Sequence, residues 1–113
     1  MMNEICALEC LELILTTEGN YLLAESLAKS LLESKLVACV TLHKVESLYW
    51  WKNQIQNSNE VQLMIKTNKR NLDDLNKKIL ELHSYQVPEF IHLQSDSSIP
   101  YLNWLNSELP PRY

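Results

Sequence analysis

The sequence predicts an α+β fold: a ferredoxin-like βαββαβ sandwich with an extended second strand and a short C-terminal helix. Two segments repeat apolar residues at every second position and two keep helical spacing, in the order strand, helix, strand, strand, helix, strand. The size agrees, since 113 residues, 46% hydrophobic and 21% charged, suit one domain with one core. The expected extent is a single domain over 1–113 with its core at about 9–109.

Leu11, Leu13 and Leu15 alternate with Glu12, Ile14 and Thr16 in a first strand, which ends at Thr17-Glu18-Gly19-Asn20, a turn followed by a helix N-cap. The next helix is predicted over Tyr21–Ser34. Ala24, Leu27, Ala28 and Leu31 keep helical spacing there, Leu23 and Leu32 widen the stripe, and Glu25, Lys29 and Glu33 lie away from it. Leu36–His43 is apolar at both parities, as a central strand covered on both faces would be. The pattern resumes after Lys44-Val45-Glu46 as Ser47-Leu48-Tyr49-Trp50-Trp51. The whole run would span roughly 50 Å at ~3.3 Å per residue, so part of it must project beyond a small core.

Lys52–Asn59 reads as a polar loop in which Asn53, Asn57 and Asn59 tolerate left-handed backbone. Val61, Leu63 and Ile65 then alternate with Gln62, Met64 and Lys66. Thr67-Asn68 leads into a helix over Arg70–Leu82 with Leu72, Leu75, Ile79 and Leu82 on one face. Asp73 and Asp74 sit near its positive end, four residues before Lys77 and Lys78. His83–Pro88 is an extended connection, because the residue before proline is pushed out of helical geometry. Glu89–Leu93 is a short strand and Gln94–Ser98 a turn. Pro100 then opens a last helix carrying Tyr101, Leu102, Trp104, Leu105 and Leu109, stopped by Pro110-Pro111.

Several function classes are excluded. The single glycine, Gly19, cannot supply the repeated glycines of a phosphate-cradling loop or a dinucleotide fingerprint. A formal charge of −4 leaves no electrostatic footprint for nucleic acid or anionic lipid, so neither a nucleic-acid nor a membrane partner is expected. Glu4, Glu9 and Glu12 stand where a secretory leader would place basic residues, and a cytoplasmic location is expected. Cys6, Cys10 and Cys39 are an odd number without a CxxC pair, so reduced thiols are expected, with Cys6 and Cys10 incidental.

Five features stand apart from this framework: Ala38-Cys39, Tyr49-Trp50-Trp51, Lys66-Thr67, His83-x-Tyr85-x-x-Pro88-Glu89, and Tyr101-x-x-Trp104-Leu105. In this order and spacing, from about Leu11 to Leu109, they resemble the divalent-cation tolerance (CutA) family. Asn53 stands where that family commonly has glycine and Ser84 where proline often follows the histidine. The resemblance implies a tight homotrimer in which a long second strand reaches into neighbouring subunits. It also implies an association with tolerance of copper and other divalent metals, and a subunit architecture like that of PII signalling proteins.

Each feature also has a plainer reading. Cys39 packs as a small hydrophobe in an apolar strand, and His83 complements a helix dipole. His43 and His92 read as ordinary strand or surface residues. Lys66 and Glu89 suit a structural ion pair as well as a ligand pair. Trp50 and Trp51 fill an interface, unless one of them walls a pocket between subunits.

The leading expectation is a trimeric protein binding a metal ion or small molecule at subunit junctions. Its ligand site would hold Lys66, Tyr85, Glu89 and Trp51, gathered by the fold at one end of the sheet. Cys39 and His83 are the candidate metal ligands. As only two soft ligands per chain, they imply at most weak binding of divalent copper, or of another divalent cation, and no cofactor required for folding. The alternatives are a structural trimer, a PII-like signalling protein binding a small metabolite, and an enzyme using His83 as acid or base. For the enzyme, no nucleophile oriented by a base and a third group is visible in the sequence.

Overall fold

The computed structural model of the chain describes residues 8–111. The elements are β1 (Leu11–Glu18), α1 (Tyr21–Glu33), β2 (Cys39–Trp51), β3 (Gln54–Asn68), a 3-10 turn at Lys69–Asn71 leading into α2 (Leu72–Leu82), β4 (Ile91–Ser95) and α3 (Ile99–Glu108). The strands form one antiparallel sheet in the order β2-β3-β1-β4.

Helix α1 starts and stops by recognisable chemistry. The Asn20 side chain accepts the Leu23 N–H at the first turn, and Ala24, Leu27, Ala28 and Leu31 are the residues it buries. At its far end Lys35 takes φ 63°, which lets the Lys35 N–H reach Leu32 O and the Leu36 N–H reach Leu31 O. That pair of bonds is a Schellman ending, closed by the apolar contact expected between the buried Leu31 and Leu36. Leu23 and Leu32 stay exposed, as does Leu82 of α2, so both apolar stripes are narrower than predicted.

Helices α1 and α2 cover one face of the sheet. The core there is Ile14, Leu31, Leu63, Ile65, Leu75 and Ile79, all fully buried. On β1 this face carries Glu12, Ile14, Thr16 and Glu18, while Leu13 and Leu15 point to the other side. The leucine-rich parity of β1 is therefore not the helix-covered one. Leu13, with Leu11 and Ala38, instead meets Leu105 of α3 and Leu109 just after it, at one end of the opposite face. Much of the rest of that face, including Ile91 and Leu93, is left exposed by the described residues.

Two expectations about the long hairpin are corrected. Its first strand lies at the sheet edge and not in the centre, and the two buried residues that made it look central, Leu36 and Val37, precede the strand proper. The polar stretch Gln54–Asn59 is strand and not loop, paired residue for residue with Glu46–Trp51. It reads as loop because both faces of the ladder are in water there, so no apolar alternation is needed. The turn itself is only Lys52-Asn53, with φ of 51° and 64°, the double left-handed geometry of a tight hairpin, and Asn53 supplies it where glycine is absent. The hairpin accounts for the 44 Å long dimension of the molecule.

The cysteines divide. Cys39 is a free thiol, while Cys10 is disulfide-bonded, which corrects the expectation of reduced thiols at that position. Cys6 lies outside the described residues.

Candidate functional site

The connection from α2 to β4 is held on the end of β1 by a buried polar cluster. His83, its side chain fully enclosed, sets its Nε2 2.6 Å from the Thr17 carbonyl, an atom that only accepts. The Tyr85 N–H donates to His83 Nδ1 at 2.9 Å. The ring is thereby fixed as the tautomer with its proton on Nε2. Glu18, buried at the strand end, accepts from the Ser84 N–H, the Ser84 hydroxyl and the Gly19 N–H. Ser84 thus supplies two donors to Glu18, its backbone N–H and its hydroxyl. Both ring nitrogens of His83 are engaged within the chain, which leaves neither for a metal or a substrate.

This clamp delivers Tyr85 to the root of the hairpin. Its hydroxyl donates to Glu60 Oε2 at 2.6 Å. Burial, then the hydrogen bond and negative charge of Glu60, push the phenol well above its ordinary range. Glu60 is 9% exposed. It shares the uncovered face of the sheet with Ser47, Tyr49 and Trp51, because Glu60 pairs with Val45 and side chains on a strand alternate. Glu89 completes the group, its carboxyl raised above the usual value by burial and then by the charge of Glu60.

Thr17, Tyr49, Trp51, Glu60, Tyr85 and Glu89 line a cavity of about 610 Å³ between the hairpin root and the α2–β4 connection. That volume falls in the range of small-molecule sites.

The fold brings together three of the six residues singled out in the sequence: Tyr85, Glu89 and Trp51. Cys39 and Lys66 pair with each other at the opposite end of the uncovered face, where Lys66 Nζ stands 5.8 Å from the centre of the Tyr101 ring. Lys66 lies six steps along β3 from Glu60, roughly 20 Å at ~3.3 Å per residue. The expectation that one end of the sheet gathers all six therefore does not hold within the chain. Cys39 and His83 are likewise at least roughly 13 Å apart along the sheet, far beyond the ~2 Å bonds of one metal ion. Among the described residues no group of three or more His, Cys, Asp or Glu side chains is placed to hold a metal ion.

Sequence reasoning missed Glu60 and Glu18. The one was passed over beside a presumed loop, the other in a presumed turn. An acid directly before a β-branched strand residue, at the point where an overlong hairpin leaves the core, was the available signal for Glu60.

An antiparallel ferredoxin-like sheet with an overlong hairpin, and a ligand-sized cavity at the hairpin root, defines the class of protein. The chain belongs to the CutA1 divalent ion tolerance protein family, whose model matches residues 12–108. It is 35% identical over 97 residues to the divalent-cation tolerance protein CutA of Pyrococcus horikoshii, covering 85% of this chain and 95% of that protein. To the CutA of Pectobacterium atrosepticum it is 39% identical over 98 residues, covering 85% and 89%. Among solved structures, CutA from Synechococcus elongatus superposes with a TM-score of 0.87 at 35% identity, covering 90% of this chain and 92% of that one. The Archaeoglobus fulgidus protein, described as a periplasmic divalent cation tolerance protein, gives 0.86 at 27% identity, covering 88% and 99%.

Proposed function

We propose that this divalent-cation tolerance protein acts as a homotrimer, PII-like in architecture, that binds a small ligand at subunit junctions through Tyr85, Glu89 and Trp51, with Glu60 added to the set. The observation that carries the reading is the position of the cavity. It opens at the root of a hairpin whose outer strand is a free sheet edge, beside a sheet face on which Ile91 and Leu93 are about half exposed. Large apolar side chains and an unpaired edge left bare together are what a second copy of a chain covers. A neighbouring copy seated there would also close the cavity. The number three comes from the family resemblance.

Copper enters this proposal only as weak binding. The separation of Cys39 from His83 gives no soft-ligand pair within one chain, and no catalytic role is assigned. A cytoplasmic location belongs to the same proposal, and cell fractionation decides it. In the described residues no helix is long and apolar enough to cross a membrane.

Native mass spectrometry of the purified protein tests the assembly and its contents together. The expected result is a trimer that keeps its mass on dilution and carries substoichiometric copper after exposure to the ion. A monomer at micromolar concentration would overturn the junction site.

A further inference from the structure

The cavity has a charge that its own lining does not balance. Glu60 and Glu89 face into it, and among the described residues no lysine, arginine or histidine lines it. Thr17, 8% exposed, also lines it, and its hydroxyl makes no hydrogen bond to another described residue, although the backbone carbonyl of the same residue is taken by His83. Thr17 and Glu60 are diagonal neighbours across the β1–β3 ladder, since Thr17 pairs with Gln62. A hydroxyl open to the cavity with no donor or acceptor from the described residues, and a nearly buried carboxylate whose one donor among the described residues is Tyr85, together suit a ligand with a polar, positively charged part.

The walls narrow the class. Tyr49, Trp51 and Tyr85 present aromatic rings, and Leu48 and Val87 are apolar. A hard divalent cation would want six or more oxygen ligands and gains little from such walls. An anion would be repelled by two carboxylates, and a neutral apolar molecule would leave Glu60 and Thr17 unsatisfied. An alkylated ammonium matches all of it, because its charge suits the carboxylates and its alkyl groups suit the electron-rich ring faces.

We infer that the cavity binds a small organic ammonium ion, its charge between Glu60 and Glu89, its alkyl groups against Tyr49 and Trp51, and a hydrogen-bonding arm at Thr17. This rests on the ligand-site reading above and names the chemical class of the ligand. A bound cation also offsets the repulsion from Glu60 that adds to burial in raising the Glu89 carboxyl.

Choline and 3,3-dimethylbutan-1-ol, which share shape and hydroxyl and differ in charge, are the probes. Each is titrated by calorimetry into the intact assembly, with tryptophan fluorescence recorded in parallel. Choline is expected to bind roughly tenfold or more tightly than the alcohol, the scale of one cation–π contact plus a carboxylate. Glu89→Gln should lower choline affinity several-fold while leaving that of the alcohol unchanged, which also shows the variant is folded. Thr17→Val should weaken both probes alike. Equal affinity for the two probes, or choline binding indifferent to Glu89→Gln, overturns the ammonium assignment while the pocket itself stands. If neither probe binds, while copper or another small molecule quenches Trp51, the ammonium assignment also falls and the pocket again survives. Silence from every probe removes both readings.

Discussion

Replacing Tyr85 by Phe deletes one oxygen and with it the 2.6 Å hydrogen bond to Glu60. A hydrogen bond to a charged group contributes about 1.5–3 kcal/mol when its loss leaves the charge without a partner. Glu60 opens onto the cavity, so water can replace part of what the phenol supplied, and the expected loss is about 1 kcal/mol. In urea this appears as a midpoint shift of roughly 0.5–1 M at unchanged slope. Protein concentration must be held fixed, because unfolding of an assembly depends on it. The assay is a double-mutant cycle of Tyr85→Phe with Glu60→Gln, in which the double variant should recover about half of the summed single losses or more. Additive losses, with no coupling above ~0.3 kcal/mol, would show that the contact does not hold the connection to the hairpin.

Four further outcomes are expected. The folded-state phenol of Tyr85 is raised, so the stability linked to it is present below about pH 10 and declines as pH rises above that value; Tyr85→Phe should flatten the alkaline limb of a stability–pH curve. The Glu89 carboxyl is raised too, so its ionisation works against folding as pH climbs past the ordinary carboxylate range; Glu89→Gln should stabilise at pH 7 and make no difference near pH 3, read from thermal midpoints. Lys35 holds φ 63° at the end of α1, and Lys35→Gly should raise stability by about 1 kcal/mol, whereas a loss would mean the side chain makes an unseen contribution. His83→Ala leaves the Thr17 carbonyl and the Tyr85 N–H without their partner and should cost about 2–4 kcal/mol by denaturation, yet leave weak copper binding by calorimetry unchanged, while Cys39→Ser lowers it.

The order of elements was legible in the sequence because each boundary has a local cause: Asn20 caps, Pro100 starts, and the 3.6-residue rhythm of Ala24 to Leu31 has no competing pattern. What escaped was whatever depends on the third dimension. The alternation in β1 shows that two faces differ, but not that the one bearing Glu12 and Glu18 lies under the helices. There Glu12 stands 3.3 Å from His92 and Glu18 caps the α2–β4 connection. The hairpin escaped because water on both sides erases the signal a strand normally leaves in sequence. At the site, Tyr85, Glu89 and Trp51 were found from their residue types, and their union depended on Glu60. Lys66 was grouped with them because it ends its strand, and Cys39 as a feature of the family resemblance, although the ladder carries both to the far end.

The unpaired outer side of β2 also has a kinetic meaning. Its thirteen residues offer N–H and C=O groups to any extended chain, and the strip ends in Leu48, Tyr49, Trp50 and Trp51, so a freshly made copy is adhesive before it finds its proper place. A partner sliding by one residue would exchange the side chains it presents on the two faces of the extended sheet. Lys44 and Glu46, placed midway along the strip, give it opposite charges two residues apart, which favour a neighbour of complementary sign. Such a strand chooses its alignment as it docks, and slow, dilute refolding should recover far more competent protein than rapid refolding at high concentration.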